Sequence, residues 1–403
     1  MLRKWYLLQP DGAADEPQDR LGGKTPLEYA RMEALGEMVR LGRLYRLETI
    51  PPQFPPGSEI GNLVLMGYDP ALYYRGRAVL EAAGQGISLK KGEVVFRMNL
   101  VTLSENSPRI LVDYSAGHIS TDLARRFVEE VSRILPPKIR LYPGVSYRHL
   151  FVVEGEYPVT TVPPHDIQGK PIAEYLPRGP GAEELIQMME QVHENLQDHP
   201  LNRERIERGE PPANGIWLWG RGEAMELPPF HTLYPPRRGA VITAVDLVRG
   251  IGRLAEMEII EVEGATGFID TNFEGKARSA IESTCDFVFL HLEAPDECSH
   301  LGDLEKKLYA LEQFDRRIVK PIWEEALRRG CGIIVTPDHP TYLRTRTHAR
   351  GEVPCLIVLG DRDISRARGP SRYCERAMEG CPPLRGLDLL RLAFQEEFPD
   401  GNP

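Results

Sequence analysis

The sequence predicts a doubly wound α/β fold, built on a mainly parallel sheet and carrying an inserted α+β domain. Three observations predict it. Short apolar runs recur, and each ends at a turn holding acids or histidines: Trp5 to Leu8 before Pro10-Asp11-Gly12, Phe287 to Leu292 before Pro295-Asp296, and Ile333 to Val335 before Pro337-Asp338-His339. Runs of this length with no polar alternation suit strands buried on both faces of a parallel sheet. Segments of helical period lie between them, Thr243 to Leu254 and Leu304 to Arg317; the second places Leu304, Leu308, Leu311 and Phe314 three and four residues apart. The middle of the chain breaks this alternation, because Glu93 to Thr102, Arg109 to Tyr114 and Tyr147 to Glu154 read as strands without a helix between each pair.

We therefore expect residues 1–71 and 239–403 to form one discontinuous domain and residues 72–238 to form the insertion. The tail of the insertion, Asp198 to Arg221, is rich in turn formers, and Pro228, Pro229, Pro235 and Pro236 resemble a return hinge. In doubly wound sheets ligands collect at the carboxyl ends of the strands. The Asp and His residues named above fall there.

Composition narrows the function. The chain has 403 residues, ample for a large core, and 41% hydrophobic with 27% charged residues is ordinary for a globular protein. Basic side chains number 49 against 59 acidic, a net charge of −10, which is a poor match for a nucleic-acid backbone. No apolar run approaches the roughly 18 to 20 residues of a membrane span, and the start reaches Pro10 and Asp11 too soon for a signal peptide. A cytoplasmic setting without membrane or nucleic-acid partners is the expectation. The six cysteines, Cys285, Cys298, Cys331, Cys355, Cys374 and Cys381, form no CxxC pair and read as scattered, mostly buried thiols.

Three motifs carry chemistry. In Pro56-Gly57-Ser58-Glu59-Ile60-Gly61-Asn62-Leu63, Ser58 reads most plainly as the N-cap of a helix running to about Met66. A helix start also favours phosphate, Gly57 permits close backbone approach, and Asn62 four residues on shares a face with Ser58. Asp296-Glu297-Cys298-Ser299-His300 sets a carboxylate and an imidazole one helical turn apart, a spacing that more often marks a solvated pair than a metal site. Asp338-His339 directly follows a strand, with His348 nine residues later and the apolar run Cys355 to Leu359 beyond; two ligands at a strand end and one from the next loop suit a divalent ion. Gly250-Ile251-Gly252 imitates a dinucleotide fingerprint, but it lies within a helical pattern instead of opening one after a strand, so we reject it.

Taken together, Asp11, the Gly-Ser-Glu-x-Gly-x-Leu segment at Ser58, Asp296 to His300, Asp338-His339 and His348 resemble the archaeal type of cofactor-independent phosphoglycerate mutase, a family of the alkaline phosphatase superfamily. Further matching blocks are Gly67-Tyr68-Asp69-Pro70, Phe96-Arg97-Met98-Asn99, Pro164-His165-Asp166, Glu263 to Gly267 with Thr271-Asn272, and Ala294-Pro295-Asp296-Glu297. The resemblance implies an alkaline phosphatase-like fold and two divalent ions, Mn²⁺ or Mg²⁺ with Zn²⁺ or Co²⁺ as substitutes, and no 2,3-bisphosphoglycerate. It places Asp11, Ser58, Asp338 and His339 on one ion and Asp296, His300 and His348 on the other, with Ser58 as the nucleophile that carries the phosphoryl group. It further implies a small phosphorylated metabolite as substrate, a glycolytic role, and an insertion that closes over the bound glycerate to exclude water. Asn62, Arg97, Arg148, Asp166 and Lys276 become candidate substrate contacts.

Two positions depart from the family's pattern. Ala116-Gly117-His118 stands where the family has Ala-Gly-Arg, and Asn214 is followed by Trp219-Gly220 with Arg221 displaced by two residues from the expected arginine. His118 and Arg221 are therefore candidate substrate contacts at altered positions. These variants, with Tyr147-Arg148-His149-Leu150 and Pro337-Asp338-His339-Pro340-Thr341, are also similar to a bacterial branch proposed to act as an alternative homoserine kinase, using the same phosphoserine chemistry on another acceptor. Nothing in the sequence sets the oligomeric state; the C-terminal Leu387, Leu389, Leu390, Leu392 and Phe394 read as a helix packed on the protein's own sheet.

Overall fold

In the computed structural model, which describes residues 3–361 and 372–397, the chain divides into two compact units. Unit 1 comprises residues 1–74 and 226–403, and unit 2 residues 75–225. Unit 1 is built on an eight-stranded sheet: β1 (Trp5–Pro10), β2 (Arg43–Glu48), β3 (Gly239–Ile242), β4 (Glu258–Ile259), β5 (Phe287–Leu292), β6 (Gly332–Val335), β7 (Val353–Leu359) and β8 (Pro383–Arg385). Their order is β8-β2-β7-β6-β1-β5-β3-β4. Every pairing is parallel except the two made by β7, which alone runs against the others. Every residue of β1, β5, β6 and β7 is buried, which is why these segments read as largely apolar runs, with Gln9 in β1 and His291 in β5 as polar members.

Register decides where the chemistry can sit. Pro10 pairs with Leu292 and Leu8 with Val335, so the carboxyl ends of β5, β1 and β6 finish side by side. The residues that follow, Asp11, Asp296 and Asp338, emerge at one edge of the sheet. Between β6 and β7 a short hairpin pairs Thr341 with His348 and folds His348 back to the same edge. The helix Asp246–Leu254 contains Gly252, whose absent Cβ lets it lie against Val241 and Ile259 of the sheet. That packing accounts for the glycines of the rejected dinucleotide pattern. The C-terminal helix Gly386–Gln395 packs its start against Val64 of the Ser58 helix.

Unit 2 is an antiparallel sheet whose long strand Glu93–Leu103 pairs with Arg148–Glu154 on one side and Gly215–Glu223 on the other. The helices Thr121–Ile134 and Ala182–Leu196 contribute Phe127, Val131, Leu185 and Val192 to a core shared with Phe96, Phe151 and Trp217. The segment read as turn-rich from Asp198 to Arg221 holds a helix, Pro200–Glu207, and most of the strand Gly215–Glu223; Pro200 opens the helix, and Pro211 and Pro212 lie in the loop between the two. The return to unit 1 comes earlier than residue 238, because Phe230 stacks on Phe287 at 5.2 Å and the Tyr68 hydroxyl donates to the Pro228 carbonyl at 2.9 Å. Within that proline-rich segment Phe230 is core, Pro228 and Pro229 are half-buried, and Pro235 and Pro236 are exposed. Among the described residues all six thiols are free, and no helix is long and apolar enough to cross a membrane.

One buried group gives unit 2 a pH dependence. His149 lies in the strand Arg148–Glu154, where its Nδ1 accepts from the Gly144 N–H at 3.1 Å, and burial pushes its imidazole down from 6.5 to about 3. The unfolded chain takes a proton there below 6.5 and the folded chain does not, so stability is lost as pH falls from about 6.5 toward 3. The loss at pH 5 is about 2 kcal/mol. His149→Asn keeps an acceptor for Gly144 without the titration, and its urea midpoint should fall less between pH 7 and pH 5 than that of the parent chain; equal falls would contradict the assignment.

Candidate active site

Asp11, Asp338 and His339 are fully buried at the ends of β1 and β6. The chain turns sharply after Asp11 because Gly12 adopts φ +56, and a Cβ at that position would overlap Asp296 Oδ1 and Thr341 Oγ1. Its N–H donates to Asp338 Oδ1 at 3.2 Å, joining the two strand ends. The helix Ser58–Leu65 approaches equally closely: a Cβ on Gly61 would lie 2.8 Å from Asp338 Cβ. Gly57 occupies the N-cap position, and Ser58 is the first helical residue, not the cap that its sequence context suggests. The side chain is thereby free to turn inward, and Ser58 Oγ lies 3.1 Å from His339 Nε2.

Hydrogen bonds fix the protonation of the ligand-type imidazoles. Thr341 Oγ1 donates to Asp296 Oδ1 at 2.5 Å, so its contact with His339 Nδ1 at 3.1 Å requires the proton on the imidazole. Burial holds the His339 imidazole below its ordinary range, against the pull of Asp338. The Nε2 lone pair of neutral His339 therefore faces Ser58 and the carboxylates, the disposition of a metal-ligating histidine. Asn62 donates from Nδ2 to the Ser58 carbonyl at 2.9 Å and to Asp338 Oδ2 at 3.1 Å. Both partners are acceptors, which sets the amide's orientation. With both hydrogens committed, a contact from Asn62 to a phosphoryl oxygen requires releasing one.

A second group forms beside the first. Asp296 and His300 share one face of the helix Ala294–Leu301, and the hairpin supplies His348. His300 Nδ1 donates to the Arg346 carbonyl at 2.9 Å, leaving Nε2 3.1 Å from both His348 Nε2 and Asp296 Oδ2. Two ring nitrogens facing each other across a carboxylate require positive charge among them. Without an ion, protons supply it: burial opposes the charged form, yet Asp296 raises His300 to about 9 and also raises His348. Burial likewise opposes ionisation of Asp296, and the two imidazoles overcome it and hold its carboxyl well below the usual range. Asp11 is pushed far up by burial and by the charges of Asp338, Glu293 and Asp296, and its Oδ1 is buried without a hydrogen-bond partner. In each triad, Asp11–Asp338–His339 and Asp296–His300–His348, ligand atoms lie within 4.8 Å of one another. Mixed carboxylate and imidazole donors with surplus buried negative charge fit divalent cations.

The sequence reading missed His291, Glu293, Thr341 and Lys307. His291 and Glu293 form a third triad with Asp11. Lys307, fully buried on the helix Leu304–Gln313, donates to the Gly12 and Thr341 carbonyls at 3.2 and 2.9 Å and pairs with Asp15 at 2.8 Å. The available sign of His291 was a polar residue inside an otherwise apolar strand. Lys276 is corrected: it is fully buried, donates to the His291 carbonyl at 2.9 Å and supports β5 from behind, so it presents no surface to a ligand. Burial lowers its amine to about 8.

The remaining candidates belong to unit 2. Arg97 pairs with Glu81 at 2.9 Å and lays its guanidinium 3.9 Å over the Trp219 ring. His118 is exposed in a left-handed conformation, φ 51, with its ring edge-on to Tyr114 and Tyr147. Arg148 is exposed over Tyr147, and Asp166 is exposed beside His165, whose ring meets Trp219 at 5.4 Å. Arg97, His118, Arg148 and Asp166 thus surround one aromatic group, whereas Arg221 is paired with Glu223.

The triad of Asp296, His300 and His348 makes cation binding proton-linked. An ion must displace protons held by His300 up to about pH 9, so affinity rises with pH, by up to about tenfold per unit for each displaced proton. Calorimetric titration of the metal-free chain with Mn²⁺ should show weaker binding at pH 6.5 than at pH 7.5, with proton release; pH-independent binding would contradict the ligand set.

Comparison with known proteins agrees with this geometry. The family described as 2,3-bisphosphoglycerate-independent phosphoglycerate mutase matches residues 40–202. A Geobacter sulfurreducens protein named as a probable 2,3-bisphosphoglycerate-independent phosphoglycerate mutase is 48% identical over 93% of this chain and 94% of its own. A Methanosarcina mazei protein named as that mutase is 47% identical over 89% and 91%. A solved Pyrococcus horikoshii structure superposes with a TM-score of 0.82 at 28% identity, covering 100% of both chains. With nearly full-length identity at this level, and with Ser58 and the ligand-type residues gathered at one sheet edge, the chain belongs to the 2,3-bisphosphoglycerate-independent phosphoglycerate mutase family.

Proposed function

We propose that this chain interconverts 2-phosphoglycerate and 3-phosphoglycerate through a phosphoserine at Ser58, without 2,3-bisphosphoglycerate. The observation that carries the reading is the placement of Ser58 Oγ, at a helix start and 3.1 Å from His339 Nε2 among buried carboxylates. The names of the relatives favour the mutase over transfer to homoserine. Asp11, Ser58, Asp338 and His339 would hold one divalent ion and Asp296, His300 and His348 the other, with Mn²⁺ or Mg²⁺ the first expectation and Zn²⁺ or Co²⁺ compatible with the same donors. Such ions lower the pKa of a coordinated hydroxyl and offset charge on the phosphoryl oxygens.

The protein's own groups do the rest. Ser58 gives up its hydroxyl proton and Oγ forms a bond to phosphorus as the ester bond to the glycerate oxygen breaks, and the leaving alkoxide takes up a proton in exchange. The positive end of the Ser58 helix favours the phosphoryl oxygens. The retained glycerate then offers its other hydroxyl, which attacks phosphorus, loses its proton and restores Ser58. Arg97, His118, Arg148 and Asp166 are the unit 2 groups we assign to the glycerate, with Arg221 available once released from Glu223. The reading carries with it a small phosphorylated substrate and a cytoplasmic, glycolytic setting.

Ser58→Ala removes the nucleophile and should lower conversion of 3-phosphoglycerate, followed by phosphorus NMR, by on the order of 10³-fold or more. The variant should still bind Mn²⁺ at Asp296, His300 and His348. Conversion that survives the change at a comparable rate would overturn the phosphoserine mechanism.

A further inference from the structure

We propose that His291 is a positioning residue that fixes Asp11 in the orientation a metal ligand needs, as the last member of a directed hydrogen-bond chain from Thr243. The inference rests on the reading of Asp11 as a ligand. His291 interrupts the apolar strand β5 and is fully buried. An imidazole in such surroundings is costly unless both nitrogens are bonded, and both are. Nε2 lies 2.7 Å from Asp11 Oδ2 and 3.2 Å from Glu293 Oε2, and Nδ1 lies 3.0 Å from Thr243 Oγ1.

The partners assign the protons. In the ionised form that a metal ligand requires, Asp11 Oδ2 only accepts, as does the Glu293 carboxylate, so Nε2 carries the hydrogen and donates to Asp11. Nδ1 then accepts, and its donor is the Thr243 hydroxyl, whose oxygen in turn accepts the Val245 N–H at 3.0 Å. Each member has one direction open to it. The Lys276 amine on the His291 carbonyl anchors the same residue through its backbone. With Oδ2 engaged, Asp11 is left with Oδ1, the buried atom that has no hydrogen-bond partner and lies 3.8 Å from His339 Nε2. The chain therefore selects which oxygen of Asp11 is offered to the cation.

The alternative use of the same atoms is a third cation among Asp11, His291 and Glu293, and metal counting separates the two. Metal-stripped full-length chain, His291→Leu and His291→Gln are titrated with Mn²⁺ by calorimetry at pH 7.5 without substrate, so the outcome does not depend on which reaction the enzyme catalyses. The parent chain should take two ions. His291→Leu should weaken one of them by about 10- to 100-fold and leave the other unchanged. His291→Gln, whose amide nitrogen reaches the place of Nε2, should recover most of that affinity. Thr243→Val, which removes only the donor to Nδ1, should weaken the same ion by less; it serves as the readout if the leucine variant does not fold. Three ions on the parent chain with one lost on substitution, unchanged affinity in His291→Leu or Thr243→Val, or a glutamine variant no better than leucine would each overturn the proposal.

Discussion

The structure depends on a concentration of like charge. Asp11, Asp338, Asp296 and Glu293 repel one another around Asp11 at the carboxyl edge of a buried sheet, where effective dielectric is low and hydration is not available to spread their charge. Carboxylates so placed must be neutralised by protons, by fixed cations or by ions held between them. Protons fill that role in the metal-free state: His300 and His348 are drawn toward the charged form and Asp11 toward the neutral one. A divalent ion bound there would exchange for these protons. The same crowding that makes the site expensive to fold makes it selective for cations.

Much of unit 1 follows from holding that crowding in place. Lys307 draws the Gly12 and Thr341 turns together from behind, and its charge is matched by Asp15. Lys276 and Thr243 clamp His291, which reaches Asp11. Gly12 and Gly61 allow the Asp296 and Ser58 helices to approach β1 and β6 more closely than a Cβ would permit. A buried polar network of this kind is stable only when its members are all satisfied. Among the described residues, Asp11 Oδ1 and Asn62 Oδ1 at the site lack a hydrogen-bond partner, as do both polar atoms of Gln9 earlier on β1.

The parallel strands were legible because burial on both faces leaves a largely apolar run, and the placing of Asp11, Asp296 and Asp338 together was legible because they come soon after those runs. Ser58 was read correctly as a helix start but wrongly as a cap, since the sequence does not show that Gly57 takes the cap position. His291 and Lys276 went astray for a shared reason: a residue's partners are set by register between strands far apart in sequence, as with the pairing of Gln9 and His291. The segment from Pro228 to Pro236 belongs to unit 1 and not to the insertion, because Phe230 within it is anchored on Phe287, a contact that proline content does not reveal. In unit 2 the altered positions His118 and Arg221 have opposite outcomes, one beside the aromatic group and one held by Glu223.

We propose that the strand-end carboxylates and imidazoles are arranged around two cations. Crystals of the protein grown with Mn²⁺ and measured at the manganese absorption edge test it directly. Two anomalous peaks are expected, one ringed by Asp11, Ser58, Asp338 and His339 and the other by Asp296, His300 and His348. A single peak, or peaks away from these residues, would contradict it.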